Sequence, residues 1–159
     1  MMGAGKSTVG LALARRLGWE YLDSDEQVVL RTGRTVPELF AERGEAAFRA
    51  EERRALEEAV ATEGPAVVSV AGGAVVDPDN RATIRAAGTV VWLRAAVDTL
   101  ADRVGAGHGR PLLGDDPAGA LTRLYEERRP LYAGLADIVV DVDDVSPQVA
   151  VEQIVGAAG

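Results

Sequence analysis

The 159-residue sequence has no cysteine, so it can build neither a disulfide framework nor a thiolate metal site. Its one histidine, His108, leaves too few soft side chains for a zinc centre. Long apolar runs are missing as well: none would span a bilayer, and the first residues lack the pattern of a signal peptide. The sequence therefore reads as cytosolic. Positive charge is scarce, with 17 Lys and Arg against 25 Asp and Glu and a formal net charge of −8. That balance argues against a nucleic-acid partner, which needs a basic face. No heptad pattern or large apolar face suggests assembly, so a monomer is expected. Lysine is scarcest of all. Sixteen of the basic residues are Arg, and the single Lys, Lys6, lies in Gly5-Lys6-Ser7-Thr8.

What is present is ordinary for one globular domain: 47% hydrophobic and 26% charged residues, in a chain long enough to bury a core without staples. Short apolar runs alternate with helical patterns, which predicts an α/β fold on a parallel sheet. Residues 7–17 read as a helix closed by Gly18, and Glu20 to Leu22 as a strand running into Asp23-Ser24-Asp25. Thr35-Val36-Pro37-Glu38 is a capping box opening a helix that Gly44 should end. An amphipathic helix is expected over 45–63, with Phe48, Leu56 and Val60 on one face. Further strands are expected over 66–71, 89–93 and 137–142, making four. Further helices are expected over 78–87, 96–104 and 118–132, and after Ser146-Pro147. Residues 105–117 form a loop rich in glycine and proline.

The residues around Lys6 have the chemistry of a phosphate loop. Gly3 and Gly5 free the backbone N–H groups of a tight turn to point at an anion. The helix that follows adds its N-terminal dipole. Lys6 would reach the β- and γ-phosphates of a nucleotide, the Ser7 hydroxyl would ligate Mg²⁺, and Thr8 would donate to the α-phosphate. Ala4 fills the turn. The motif needs a glycine, then four residues, ahead of Gly5, and a strand before that. Met1-Met2-Gly3-Ala4 occupy those four positions, so the first glycine would fall at position zero. A misassigned start codon is the simplest account, and true truncation the alternative.

Asp23 and Asp25 follow a strand at i, i+2 spacing, which would put both carboxylates on one side of an extended segment at the carboxyl end of the sheet. One carboxylate near Mg²⁺ and one accepting a hydroxyl proton would suit phosphoryl transfer. A helix N-cap is the competing reading of the same residues.

Taken in order, GKST, LDSD, RTGRTVPELF, GEAAFRAEE, AGGAV, GRPLL and ERRPLY make the chain resemble the shikimate kinases over nearly its whole length. The resemblance implies a P-loop kinase, a three-layer α/β sandwich with parallel strand order 2-3-1-4-5. It implies transfer of the γ-phosphate of ATP, with Mg²⁺, to the 3-hydroxyl of shikimate in aromatic amino acid biosynthesis. It also implies that residues 1–24, 64–104 and 118–159 form the core of a single kinase domain, 25–63 the substrate-binding region and 105–117 a lid. By the same resemblance Asp25 holds shikimate and acts as general base, and Asp23 sits by the Mg²⁺ water shell. Arg49 and Arg128 clamp the carboxylate, while Gly72 and Gly73 let backbone approach the ring. Arg110 swings in over the phosphates from the lid, Arg103 stacks on adenine, and Pro147 lines the base pocket. Arg53, Arg54 and Arg129 are expected only to face solvent, as is His108.

Departures from the family pattern accompany these matches. The glycine patch begins with Ala71, whose methyl could crowd the substrate. Val145 and Ser146 stand where an Arg often serves the nucleotide. Strand 1 of the family's order would precede Met1. The strands at 66–71 and 89–93 should then lie about 10 Å apart, against roughly 4.8 Å for paired neighbours. Such a chain is expected to be unstable, and the natural protein to carry about ten more residues upstream, apolar and ending in Gly. Two other functions remain open from the residues: a related kinase of the gluconate type, and a non-catalytic protein that binds nucleotide or shikimate.

Overall fold

The computed structural model describes residues 1–105 and 115–159. Helix α1 spans Lys6–Leu17 and is closed by Gly18, whose φ of 69° lies in the left-handed region that glycine enters without a Cβ clash. Strand β1 (Glu20–Asp23) follows, then α2 (Ser24–Thr32), α3 (Val36–Val60) and β2 (Ala66–Ser69). A 3₁₀ turn over Ala74–Val76 leads to α4 (Pro78–Ala87), β3 (Val91–Arg94) and α5 (Val97–Val104). The chain closes with α6 (Pro117–Leu135), β4 (Ile138–Asp141) and α7 (Pro147–Ala158).

The four expected strands are present; β1 runs one residue further than expected, to Asp23, and the other three are somewhat shorter than their expected ranges. Locally encoded ends also agree. Thr35 N–H donates to Glu38 Oε2 at 2.7 Å and Glu38 N–H to Thr35 Oγ1 at 3.4 Å, which is the reciprocal capping box. Gly44 breaks the helical run where the sequence reading placed an end: at φ 80° and ψ 177° it leaves helical geometry, and the two helical segments of α3 meet there at a kink. One feature differs: although a helix N-cap was the competing reading of the Asp23 segment, α2 was given no range. Asp23 caps it, with Oδ1 accepting from Asp25 N at 2.9 Å and Glu26 N at 3.5 Å. Asp23 and Asp25 therefore do not share one side of an extended segment. Capping satisfies two amides that would otherwise lack partners, so the helix starts at Ser24 and Asp25 falls in its first turn.

The strands pair in twos, all parallel. Glu20 to Asp23 of β1 face Ala66 to Ser69 of β2, and Val91 to Arg94 of β3 face Ile138 to Asp141 of β4. Among the described residues no ladder joins β2 to β3. Between them opens a cavity of about 650 Å³, lined from both strands by Val68, Ser69, Trp92 and Leu93 among others. This arrangement leaves one edge of β2 and one of β3 without strand partners.

The main core gathers Val9 and Leu13 of α1, Leu56 of α3, Leu100 of α5, Leu121 of α6 and Ile154 of α7 around the strands. A smaller cluster, Val28, Leu39, Phe48 and Ala55, packs α2 onto α3. Leu56 has no exposed surface and joins α3 to the main core. Leu56→Ala should lower unfolding stability by about 2–5 kcal/mol, the cost of lost transfer energy and a cavity. Denaturant titration of both proteins will read this as a lower midpoint at unchanged slope.

Candidate active site

The start of α1 is built to meet an anion. Gly5 sits at its N-cap with φ 83° and ψ 23°, a conformation glycine adopts freely, and offers no side chain to the first-turn amides. No acidic residue lies in that turn. Gly3, at φ 77°, is needed twice over, since a Cβ there would come within 2.9 Å of the Leu100 carbonyl oxygen. Ala4 is buried beneath the turn. Lys6 Nζ donates to the Met1 carbonyl at 2.9 Å. Ser7 and Thr8 are exposed on the same first turn.

Ser7 Oγ lies 3.4 Å from Asp23 Oδ2, which also accepts from the Tyr21 hydroxyl at 3.2 Å. Burial pushes the Tyr21 hydroxyl above its ordinary value, so it stays a donor to that carboxylate. Asp23 thus serves as helix cap and partner of the Ser7 hydroxyl at once. On the other side of the loop, Arg103 donates to the carbonyls of Gly3 at 3.4 Å, Val142 at 2.7 Å and Asp143 at 3.2 Å. It ties the loop to the segment before Pro147, the first residue of α7. Ser146, which the sequence reading gave no nucleotide role but placed at the opening of the last helix, caps α7 by accepting from Val149 N–H at 3.3 Å.

A second cluster surrounds the glycine patch. Gly73 has ordinary helical angles, φ −83° and ψ −15°, so glycine is not required there by conformation. What marks the position is the space above it, which two arginine side chains fill. A Cβ on Gly73 would stand 2.6 Å from Arg49 Nη1 and 3.2 Å from Arg128 Nη2. Two guanidinium groups from α3 and α6 therefore converge on one glycine. Arg128 is only 3% exposed, and among the described residues its Nε has no hydrogen-bond partner. A buried, unsatisfied guanidinium N–H is costly and suits an anionic ligand that would complete it. Arg49 stacks 5.2 Å from the Phe48 ring centroid and donates through Nη1 to Glu52 Oε2 at 2.7 Å.

Glu52 was not foreseen from sequence. It is 2% exposed, and burial raises its carboxyl above the usual range, with the nearby charge of Asp25 acting in the same direction. Arg49 and Arg128 oppose that shift. Asp25, Glu52, Arg49 and Arg128 therefore belong to one electrostatic neighbourhood. Met1 lies between this cluster and the loop of Lys6: its carbonyl accepts from Lys6 Nζ at 2.9 Å, and its Cα stands 3.3 Å from where a Cβ on Gly72 would be.

Ala71 is buried, and its N–H donates to the Ser24 hydroxyl oxygen at 2.9 Å. Among the described residues no non-glycine residue has positive φ, so its methyl brings no backbone strain. The carbonyl of Gly72 accepts from the Tyr132 hydroxyl at 2.6 Å. Burial pushes the Tyr132 hydroxyl up to about 12. Ser24 and Tyr132, like Glu52, stand inside motifs the sequence displayed, LDSD, ERRPLY and GEAAFRAEE, without any local sign of their partners. Arg53 pairs with Asp77 and Asp79, Arg54 with Glu51 at 3.1 Å, and Arg129 is exposed, in keeping with surface roles. Arg110 and His108, with most of the segment read as a lid, lie outside the described residues.

Comparisons with known proteins identify the family. The family model described as "Shikimate kinase" matches residues 2–158. The shikimate kinase of Pseudomonas entomophila is 42% identical over 154 residues, covering 96% of this chain and 89% of that protein. That of Paramagnetospirillum magneticum is 47% identical over 157 residues, covering 97% of this chain and 78% of its own length. Among solved structures, a shikimate kinase from Acinetobacter baumannii in complex with shikimate superposes with a TM-score of 0.94 at 34% identity, covering 99% of this chain and 88% of its own. With a match along almost the entire chain and two sites of the kind just described, the protein belongs to the shikimate kinase family.

Proposed function

We propose that this chain transfers the γ-phosphate of ATP to the 3-hydroxyl of shikimate, with the roles divided between the two clusters. The convergence of Arg49 and Arg128 on Gly73, with the Arg128 Nε still unsatisfied, carries the reading. A planar carboxylate set against that pair would accept from both guanidinium groups and relieve their mutual repulsion. Family membership supports the acceptor's identity, and so does the shikimate bound to the Acinetobacter kinase.

On the donor side, the amides of Gly3, Ala4 and Gly5 and the first turn of α1 cradle phosphate oxygens, with Lys6 on the β- and γ-phosphates and Thr8 on the α-phosphate. Lys6 must exchange the Met1 carbonyl for phosphate oxygen, a trade of one acceptor for a charged one. Arg103 and Pro147 border the base. The Ser7 hydroxyl and Asp23 carboxylate, 3.4 Å apart, are hard oxygen donors that fit a Mg²⁺ ion held otherwise by phosphate and water. Bound there, the ion would neutralise charge on the phosphates.

On the acceptor side, Arg49 and Arg128 hold the carboxylate while Gly72 and Gly73 admit the ring. The 3-hydroxyl oxygen attacks the γ-phosphorus in line as the bond to the β-phosphate oxygen breaks. Asp25 takes the hydroxyl proton, and ADP departs. Arg110 is proposed to balance the transferring charge, with residues 105–117 as the lid that keeps water out. Residues 25–63 are proposed to act as the substrate-binding region of this single domain, which we infer works as a monomer in the cytosol. No helix among the described residues is long and apolar enough to cross a membrane.

Phosphorus NMR of the chain with MgATP and shikimate tests the reaction: a phosphomonoester signal should appear as ADP forms. Gluconate or a nucleoside monophosphate phosphorylated ahead of shikimate would overturn it. Asp25→Asn should cut turnover by about 10²–10⁴-fold while ATP still binds, since Asn cannot accept the proton. Near-normal turnover would remove Asp25 as the base. Arg128→Ala and Arg49→Ala should each weaken shikimate binding by about 2–5 kcal/mol at unchanged ATP affinity. Calorimetric titration with each ligand separately measures both. An equal loss toward ATP would show the arginines to be misassigned.

A further inference from the structure

The two consecutive residues Ala71 and Gly72 are held from opposite flanks. The Ala71 N–H is taken by Ser24 Oγ, on the residue before Asp25. The Gly72 carbonyl is taken by the Tyr132 hydroxyl, one helical turn beyond Arg128 on α6. Ser24 is 1% exposed and Tyr132 8%, so water does not compete well for either bond. The Tyr132 ring is itself fixed against Trp92 of β3, with centroids 5.7 Å apart. The Tyr132 hydroxyl also limits side-chain space at Gly72, where a Cβ would approach it to 3.2 Å.

We propose that Ser24 and Tyr132 are positioning residues for the acceptor site, two pins that fix the Ala71–Gly72 backbone between the Asp25 arm and the Arg128 arm. The proposal rests on the functional reading above and adds to it. Each pin is one residue, or one turn, from a group that would touch shikimate, and both fasten to the same strip of backbone. Gly73 follows that strip directly. A small shift of it would move the backbone against which Arg49 and Arg128 converge. Pinning therefore sets the distance between the proton acceptor and the carboxylate clamp, which selects an acceptor with that separation of hydroxyl and carboxylate. Neither pin touches the reacting atoms.

The test uses Tyr132→Phe, which keeps the ring on Trp92 and removes only the hydroxyl. Shikimate affinity comes from calorimetric titration, the unfolding midpoint from scanning calorimetry, and backbone opening from amide hydrogen exchange. Shikimate Kd should rise about tenfold, as expected for a lost buried hydrogen bond. Exchange should quicken at residues 71–74 and stay unchanged in α1. Ser24→Ala should give the same pattern from the other flank, and it carries the test alone if Tyr132→Phe does not fold. The double variant should lose less than the product of the single effects, because both pins hold one strip. A merely structural role would lower the midpoint and leave shikimate Kd within about twofold, which would overturn the proposal. Absence of shikimate binding by the unaltered chain would instead overturn the functional reading on which the proposal rests.

Discussion

Two like charges held against one glycine are the constraint from which the acceptor site follows. Arg49 and Arg128 approach Gly73 into the space a side chain there would occupy. Bringing cations together in a buried place is unfavourable unless negative charge joins them. The fold supplies such charges in Glu52 and Glu45, both paired with Arg49, while Arg128 Nε has no hydrogen-bond partner among the described residues. Neutralisation is thus concentrated on Arg49. In the proposed function an anionic acceptor would complete Arg128, and the binding energy of that completion would orient the hydroxyl at the other end of the molecule.

The same logic shapes the phosphate side, where the fold withholds what it supplies elsewhere. Asp23, Thr35, Asp77 and Ser146 cap α2, α3, α4 and α7 with side-chain oxygens. At α1 the cap is a glycine, and the first-turn amides keep their capacity for a ligand. Asp23 bridges the two sides. It ends β1, starts the helix that carries Asp25, and reaches back to Ser7. One residue therefore couples the start of α1 to the start of α2.

Local chemistry was legible in the sequence and long-range partnership was not. Thr35 and Glu38 announce their capping box within four residues, and Gly18 its helix end, because both structures close locally. The P-loop residues and the glycine patch were legible as motifs. The reason for Gly73 was not, since it depends on arginines 24 and 55 positions away in sequence whose approach only the packing of α3 and α6 creates. Asp23 misled in part: its spacing from Asp25 fits an extended segment, yet its cap bonds win and produce α2. Glu52, Ser24 and Tyr132 carry no local mark at all. Glutamate is common on exposed helix faces, and what makes Glu52 different is that this face is covered. The Tyr132 bond joins residues sixty positions apart.

The preference for arginine over lysine has a practical side. Lys6 is the chain's one side-chain primary amine, and it sits in the phosphate loop with its Nζ 2.9 Å from a backbone carbonyl. Reagents that acylate amines find no target on the arginine-charged surface. Among the side chains of this sequence, Lys6 is the one address such a reagent can read. Attachment of the protein to a support through this side chain, or cross-linking through it, will therefore fall on the turn that opens α1 rather than decorate the exterior. Conversely, protection of that single amine by a ligand reports occupancy of the loop directly, with no background from elsewhere on the side-chain surface.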